Sequence, residues 1–247
     1  MIEDNYKAAA RLIATTEEQT KLPVRIDWDD QLTFGAILRL SEVEWSKQLR
    51  ISVNPKRKDI AYLVGSQCAV ALRFFSQKET KHLVSKAGSV DKTINEFIQL
   101  GFNAEQAELY AKHYESGLGK QLRGMPSQIA ISSWIYKNYP ELRDSQKVYA
   151  LTEAESAIPS LSVDSTQIPA WILDSHQAMN GAFALATDYL FTQNELFEPY
   201  KAKGLEGFCI KLLDDVINSA PETTDTELVS LWLNRLELND RFEWNTF

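Results

Sequence analysis

The segment that most constrains the fold runs from Asp59 to Phe75 and is apolar on almost every side of a helix. Only Gly65, Ser66 and Gln67 interrupt its apolar character before Arg73. A helix of this kind must be covered by other elements on most of its faces. The sequence therefore predicts that residues 59–75 form the central buried helix of the protein.

Helical periodicity dominates the rest of the chain. Apolar residues recur at helical spacing from residue 5 to residue 19 and in several segments between residues 91 and 238. Glycine and proline supply only 10 and 8 of the 247 residues, and this scarcity of turn formers favours long helices. The sequence therefore predicts a mainly α, multi-helical protein.

The predicted β structure is small and lies near the N-terminus. Residues 24–28 and 49–53 alternate apolar and polar side chains, as strands with one buried face do. Residues 34–40 favour a third short strand between them. These two or three short strands form a small α+β N-terminal part with the first helix, and no later segment predicts a strand.

Two kinds of interruption divide the helical region. Residues 117–120, Gly-Leu-Gly-Lys, predict a loop, and the helix after it is predicted to begin at Pro126. Residues 159–169 are rich in serine and threonine, contain two prolines, and predict a linker or a long surface loop. The sequence thus predicts a first part at residues 1–158 and an acidic helical part at residues 170–247, packed together as one globular unit.

Charge is unevenly distributed along the chain, whose formal net charge is −8. Residues 1–149 hold 21 basic and 18 acidic side chains, whereas residues 150–247 hold 5 and 16. The acidic part would repel nucleic acids and anionic lipids. One short basic cluster could contact phosphate, but it lacks interleaved aromatic residues, so we interpret it as a solvated loop and expect no nucleic acid partner. Its members are Lys47, Arg50, Lys56, Arg57 and Lys58.

The sequence predicts a cytoplasmic protein with no membrane partner. Cys68 and Cys209 each lie in an apolar run, where a thiol usually acts as a small buried hydrophobic group. The N-terminal residues lack the basic-then-apolar order of a signal peptide. No uncharged apolar stretch of about 18 residues is present to span a bilayer.

The chain offers few side chains for catalysis. Its histidines, His82, His113 and His176, are widely separated, and none has a second histidine three or four residues away, the helical spacing that binds zinc. Cys-x-x-Cys, Gly-x-Ser-x-Gly and Gly-x-Gly-x-x-Gly sequences are absent. The sequence therefore predicts no metal site and no cofactor.

One catalytic alternative stays open on the helix that follows residue 103. Glu105, Glu108 and His113 fall close enough on a helical wheel to share a groove, and Tyr110 lies on the same helix. Two carboxylates near a histidine can perform acid and base steps, as a hydrolase requires. The other interpretation of these residues is an exposed polar helix face.

The order of helix, short strands and buried helix resembles the start of small zincin-type metallopeptidases, over about residues 5 to 116. The central helix of those enzymes carries His-Glu-x-x-His, and the matching stretch here is Ser66-Gln-Cys-Ala-Val70. The resemblance places Ser66 and Val70 at two zinc-ligand positions and Gln67 at the position of the general base. It also implies a third ligand on the following helices, where Glu105 or Glu108 could lie.

The resemblance implies a peptidase scaffold without peptidase chemistry. Serine and valine offer no imidazole nitrogen, and Gln67 cannot accept a proton from a bound water. A structural interpretation of the same residues is also open. Gly65 can allow a close helix crossing while Gln67 hydrogen-bonds to a neighbouring backbone.

From this poor supply of catalytic groups, the expected function is non-catalytic: a protein–protein interaction or scaffold protein within a larger assembly. The hydrolase described above is the alternative. Aromatic residues at positions that look partly exposed support the interaction hypothesis. They are Trp28, Trp45, Trp134, Trp171 and Trp244.

The C-terminal segment after residue 238 ends with three aromatic residues, Phe242, Trp244 and Phe247. Such a tail either folds back onto the protein or docks on another protein. These three residues are therefore the predicted interaction residues. The sequence does not determine the partner or the oligomeric state.

Overall fold

The computed structural model of the chain describes residues 2–33, 35–77, 81–163, 165–192, 195–220 and 222–246. Within these ranges the helices are α1 (Ile2–Thr20), α2 (Val43–Ser46), α3 (Ile60–Gln77), α4 (Ser89–Gln99), α5 (Ala104–Asn138), α6 (Arg143–Ala157), α7 (Ala170–Phe191), α8 (Glu198–Ala202), α9 (Glu206–Ile217) and α10 (Asp225–Arg235). The strands are β1 (Val24–Trp28), β2 (Ala36–Leu38), β3 (Leu49–Val53), β4 (Lys81–Ser85) and β5 (Phe242–Thr246). The predicted mainly α fold class is confirmed. None of the described helices is both long and apolar enough to span a membrane.

Residue contacts group the chain into two compact units. The first unit comprises residues 1–79 and 131–153, and the second comprises residues 80–130 and 154–247. The sequence predicted two parts that follow one another along the chain. In the structure, α5 and α6 each contribute residues to both units. Residues 159–169, where a linker was predicted, belong to the second unit. The first of them are part of a short 3-10 helix, Ile158–Ser162.

The first unit is built on a three-stranded sheet with the strand order β1-β3-β2. β1 is parallel to β3, and β2 is antiparallel to it. Leu49, Ile51 and Val53 alternate along β3 and are completely buried, as expected for the inward face of a central strand. The two predicted strands are confirmed, and the third strand expected within residues 34–40 is β2.

α3 is the buried central helix that the sequence predicts. Every residue from Ala61 to Ser66 is buried. α1 packs along α3. Gly65 allows the close approach, because a Cβ atom at this position would lie 3.0 Å from Leu12 Cδ1 and 3.2 Å from Leu142 Cδ1. The apolar core of the first unit therefore forms around α3.

α5 is continuous for 35 residues, so the predicted loop at residues 117–120 and the predicted helix start at Pro126 are wrong. Proline removes one backbone hydrogen bond and glycine disfavours a helix, but neither must end one when packing compensates. Leu118, Leu122 and Ile129 lie on one face of α5 and are almost completely buried. Their burial holds the helix through the glycines and the proline.

The second unit has its own buried central helix, α7, with α9 packed against it. Gly181 lies at the closest contact, because a Cβ atom there would overlap the Cys209 sulfur and lie 2.9 Å from the Tyr200 ring. Trp232 on α10 is fully buried and donates its indole N–H to the Leu212 carbonyl oxygen at 2.9 Å.

β4 and β5 form a two-stranded antiparallel sheet in the second unit. The expectation that no segment after the N-terminal part forms a strand is therefore wrong. Each strand has only five residues, and its partner is distant in the sequence. Strand formation that depends on such a pairing leaves little local signal.

Candidate functional site

The three positions that the resemblance assigns to zinc chemistry lie on α3 in the first unit. Ser66 is buried, and its hydroxyl donates to the Leu63 carbonyl oxygen at 2.9 Å. Gln67 is half-buried, and its Oε1 atom accepts a hydrogen bond from the Leu38 backbone N–H at 2.9 Å. Val70 packs against the apolar core of this unit. All three side chains thus have structural contacts.

The Gln67 hydrogen bond closes part of a sheet edge, because β2 is an edge strand. The Arg39 N–H donates to the Arg50 carbonyl oxygen of β3 at 2.9 Å. Backbone groups of successive residues alternate in direction in an antiparallel pair, so the Leu38 N–H points away from β3. Gln67 supplies the acceptor for an N–H that the sheet itself does not satisfy.

The contacts of Gly65 and Gln67 are those that the structural interpretation predicts, a close helix crossing and a bond to a neighbouring backbone. Within the described ranges, no group of three or more His, Cys, Asp or Glu side chains could hold a metal ion. The relation to zincin-type metallopeptidases stays a prediction.

The four residues of the alternative hydrolase site occupy different environments on α5. Glu105 and Glu108 are exposed, and a hydrogen bond from Lys112 lowers the pKa of the Glu108 carboxyl. Tyr110 packs within an aromatic cluster of the second unit. His113 is exposed and is the only one of the four that lines the cleft defined next. The hydrolase function stays a prediction.

A cleft of about 440 Å³ lies in the second unit, and we call it the α5–α7 cleft. α5, α7 and the segment at residues 160–168 supply its walls. Most of the wall is apolar, and the polar side chains come mainly from the two helices. The lining residues are His113, Tyr114, Gly117, Leu118, Gln121, Ser160, Val163, Ile168, Ile172, Leu173 and His176.

A cyclic hydrogen-bond network fixes the polar side of this cleft. The His176 Nδ1 atom is 2.8 Å from Gln121 Oε1, and Gln121 Nε2 donates to Asn180 Oδ1 at 2.9 Å. Asn180 Nδ2 closes the cycle at 3.0 Å from His176 Nε2. One imidazole nitrogen donates and the other accepts, which requires a neutral ring. Burial also lowers the pKa of His176, in agreement with the neutral form.

A second polar group of this unit is a buried carboxylate. Glu115 is 1% exposed, and its Oε1 atom accepts hydrogen bonds from the hydroxyls of Ser89 and Thr93. Its Oε2 atom is buried without a hydrogen-bond partner among the described residues. Arg241 donates to the Thr93 hydroxyl at 3.3 Å. This arrangement joins α4, α5 and the start of the C-terminal segment.

The two arginines of the predicted basic cluster pair with acidic side chains of the first unit. Arg50 lies 2.6 Å from Asp27 and 2.8 Å from Glu42. Arg57 lies 2.6 Å from Asp59, which is 1% exposed. The exposed members of the cluster are Lys47, Lys56 and Lys58. Pairing within the protein reduces the charge that the cluster can offer to phosphate, and Arg50 lies on β3 and not in a loop.

The described part of the C-terminal segment folds back, the first of the two alternatives for this tail. Phe242 is buried and packs at Gly119, where a Cβ atom would lie 3.2 Å from its ring. Trp244 is half-buried, and its indole N–H donates to the Ser230 hydroxyl at 3.1 Å. Phe247 lies outside the described residues. Phe242 therefore stabilises this unit and is not exposed to a partner.

The other tryptophans named from the sequence differ in exposure. Trp28 on β1 is 62% exposed, and Trp45 on α2 is 69% exposed. Trp134 is 40% exposed and lies beside the Tyr139 ring. Trp171 is half-buried and donates its indole N–H to Glu96. The first unit therefore presents two strongly exposed tryptophans.

Comparison of the chain with protein-family models, curated proteins and solved structures gives no match. The candidate sites therefore rest on geometry alone. Sequence reasoning named His113 and His176 but missed Gln121, Asn180 and Glu115. The four-residue spacing of His176 and Asn180 was an available signal, since it places both on one helix face. Gln121 has no such local signal, because it reaches His176 only through the fold.

Proposed function

We propose that this protein works by binding another protein, and that α3 retains the position but not the chemistry of a peptidase helix. The observation that carries the proposal is the hydrogen bond from the Leu38 N–H to Gln67 Oε1. A side chain that holds an edge strand in this way is committed to the fold. A carboxamide also cannot act as the general base of hydrolysis.

The exposed tryptophans of the first unit support the binding half of the proposal. Tryptophan is enriched at the residues that contribute most to interface affinity, because it buries a large apolar area and still offers one hydrogen-bond donor. Trp28 and Trp45 expose most of their surface, although burial would stabilise them. A protein partner would cover one or both of them.

Site-specific photo-crosslinking tests this function. A benzophenone amino acid replaces Trp28 or Trp45 in the full chain, and matched control proteins carry it at Glu18 or Gln19, which are exposed on α1. The proposal predicts one discrete adduct at position 28 or 45 and none at the control positions. Excess wild-type protein should suppress that adduct, whereas excess Trp28→Ala/Trp45→Ala protein should not.

Two results would overturn the proposed function. One is an adduct pattern that is the same at the test and control positions. The other is hydrolysis of a peptide or ester by the purified protein that is abolished by Gln67→Ala or His113→Ala. The second result would favour the hydrolase alternative when the variant unfolds at the same temperature as the wild type.

We also propose that the protein resides in the reducing cytoplasm. Cys68 and Cys209 are both free and buried, and burial raises the pKa of each thiol to about 12. Buried free thiols are typical of reduced compartments. A fluorescent fusion should be distributed throughout the cytoplasm, and its collection in an oxidising compartment would contradict the assignment.

A further inference from the structure

We propose that the α5–α7 cleft of the second unit is a binding site for a small, uncharged, largely apolar organic molecule that carries a hydrogen-bond acceptor such as a carbonyl oxygen. This inference is independent of the protein-binding function, which concerns the first unit. It follows from the size of the cleft, the chemistry of its walls and one polar group beside it.

The size and the walls fit a small organic ligand. The cleft encloses about 440 Å³, within the range of roughly 300 to 1,000 Å³ that such sites occupy. Leu118, Ile172 and Leu173 present aliphatic surface from the two helices, and Val163 and Ile168 present it from the connecting segment. Leu118, Ile172 and Leu173 are already almost completely buried, so a ligand with an apolar body would remove from water mainly the surface of the half-buried Val163 and Ile168.

Gln121 offers one ordered donor on the polar side of the cleft. Gln121 Oε1 and one hydrogen of Gln121 Nε2 are engaged by His176 and Asn180. A carboxamide nitrogen carries two hydrogens, and no acceptor among the described residues takes the second one. Because Gln121 lines the cleft and is held by the cyclic network, its free N–H can bind an acceptor of a ligand with little loss of side-chain freedom.

The lining also determines the charge of the ligand. None of the described side chains that line the cleft is an aspartate, glutamate, lysine or arginine. The buried imidazole of His176 is neutral within its network, and the other titratable side chains of the lining are the exposed His113 and the half-buried Tyr114. An ionised ligand group held beside the aliphatic side chains and His176 would lose its hydration without gaining an ion partner, which is unfavourable. The cleft therefore favours an uncharged molecule.

Gly117 provides a way to fill the cleft without disturbing the core. It lines the cleft from within α5, and a Cβ atom built on it meets nothing within 4 Å. Gly124, on the same helix and equally free of neighbours, does not line the cleft. A larger side chain at either position should preserve the helix, because glycine is the weaker helix former.

The test uses the uncharged naphthalene ketone prodan, whose fluorescence shifts to shorter wavelength in apolar surroundings, and the full chain. We expect saturable binding with one site per chain. Gly117→Trp should weaken binding at least tenfold, whereas Gly124→Trp should change it less than twofold. 1-Anilinonaphthalene-8-sulfonate, an aromatic anion of comparable size, should bind at least tenfold more weakly than prodan.

The hydrogen-bond donor, the remaining N–H of the Gln121 carboxamide, is tested separately with Gln121→Leu. This variant should weaken the binding of prodan at least threefold more than the binding of 2-(dimethylamino)naphthalene, which lacks the carbonyl oxygen. A general loss of structure would weaken both probes equally. Far-ultraviolet circular dichroism and the unfolding temperature of each variant check that the fold is retained.

Three outcomes would overturn the inference. Prodan could fail to saturate at one site per chain, Gly117→Trp and Gly124→Trp could weaken binding equally, or the anionic probe could bind as tightly as prodan. The first two would show that the probe covers general surface, and the third would contradict the assigned charge. None of them bears on the exposed tryptophans of the first unit, so the two proposals fail separately.

Discussion

α3 and α7 are both buried central helices, yet their polar residues have different kinds of hydrogen-bond partner. On α3, Ser66 bonds within its own helix, and Gln67 bonds to the edge of β2. On α7, His176 and Asn180 join Gln121 in a network beside an open cleft, with one amide hydrogen left over. A polar residue in an apolar helix therefore indicates a site only when its partners leave a group facing open space.

The glycines of the two helices give the largest expected difference in stability. Gly181→Ala should lower the free energy of unfolding by about 3 kcal/mol, because the new methyl group overlaps Cys209 and the rigid Tyr200 ring. Gly65→Ala should change it by less than about 1 kcal/mol, because only the mobile methyl ends of Leu12 and Leu142 must move. Urea unfolding of both variants measures the contrast.

A second substitution identifies the cause of the Gly181 effect. Cys209→Ala removes the sulfur that the new methyl group would meet, so the double variant should recover part of the stability lost by Gly181→Ala. Strictly additive losses would show that the sulfur is not the obstacle. An equal cost at positions 65 and 181 would contradict the described packing of the two helices.

The buried carboxylate of the second unit should give the next largest effect. Glu115→Ala leaves the hydroxyls of Ser89 and Thr93 without their acceptor and should cost about 2 kcal/mol. Glu115→Gln keeps the accepting oxygen and removes a buried charge, so its cost should stay below about 1 kcal/mol. Equal losses in thermal unfolding would show that the charge, and not the accepting oxygen, matters.

On α3, the residue with the next largest expected effect on stability is Gln67. Gln67→Leu removes the acceptor for the Leu38 N–H at the edge of β2 and should cost about 1 kcal/mol. Gln67→Glu retains an accepting oxygen and should cost less at pH 7. Urea unfolding measures both, and a Gln67→Leu variant as stable as the wild type would contradict the structural role of this residue.

The α7 side should show a small dependence of stability on pH. The pKa of His176 is lowered from its usual value of 6.5 in the folded protein, so the unfolded chain binds a proton more readily. The stability that neutral His176 contributes is therefore complete above pH 6.5 and is lost as the pH falls toward the folded-state pKa.

Comparison of the wild type with His176→Gln between pH 7.5 and pH 5 isolates this contribution. The wild type should lose more stability on acidification than the variant, by at most about 1.4 kcal/mol per pH unit. Parallel curves for the two proteins would show that the imidazole is not held neutral by its network.

The sequence predicted the elements whose buried faces appear as a local pattern of apolar residues. α3 was predicted because residues 59–75 are apolar all round, and β1 and β3 because their side chains alternate. The length of α5 was not predicted, because Gly117, Gly119 and Pro126 are local breakers whose cost is offset by buried residues on one face of the helix. The β4–β5 pair depends on a partner far along the chain and had no local signal.

The candidate cleft was predictable only in part. His113 was a candidate residue of the alternative hydrolase site, whereas His176 was noted only as an isolated histidine, and each alone is compatible with a structural role. The site appears only when Gln121 of α5 meets His176 and Asn180 of α7. Contacts between distant segments are set by the tertiary fold, and a single sequence does not show them.

Amide hydrogen exchange at Leu38 measures whether Gln67 holds the edge of β2 against α3. In the wild type, the Leu38 N–H should be protected although it points away from β3, because Gln67 accepts its hydrogen bond. In Gln67→Leu, its exchange should become at least tenfold faster, while that of Arg39, which donates to Arg50 of β3, stays protected. Rapid exchange of Leu38 in the wild type, or no change in the variant, would contradict the structural role of Gln67.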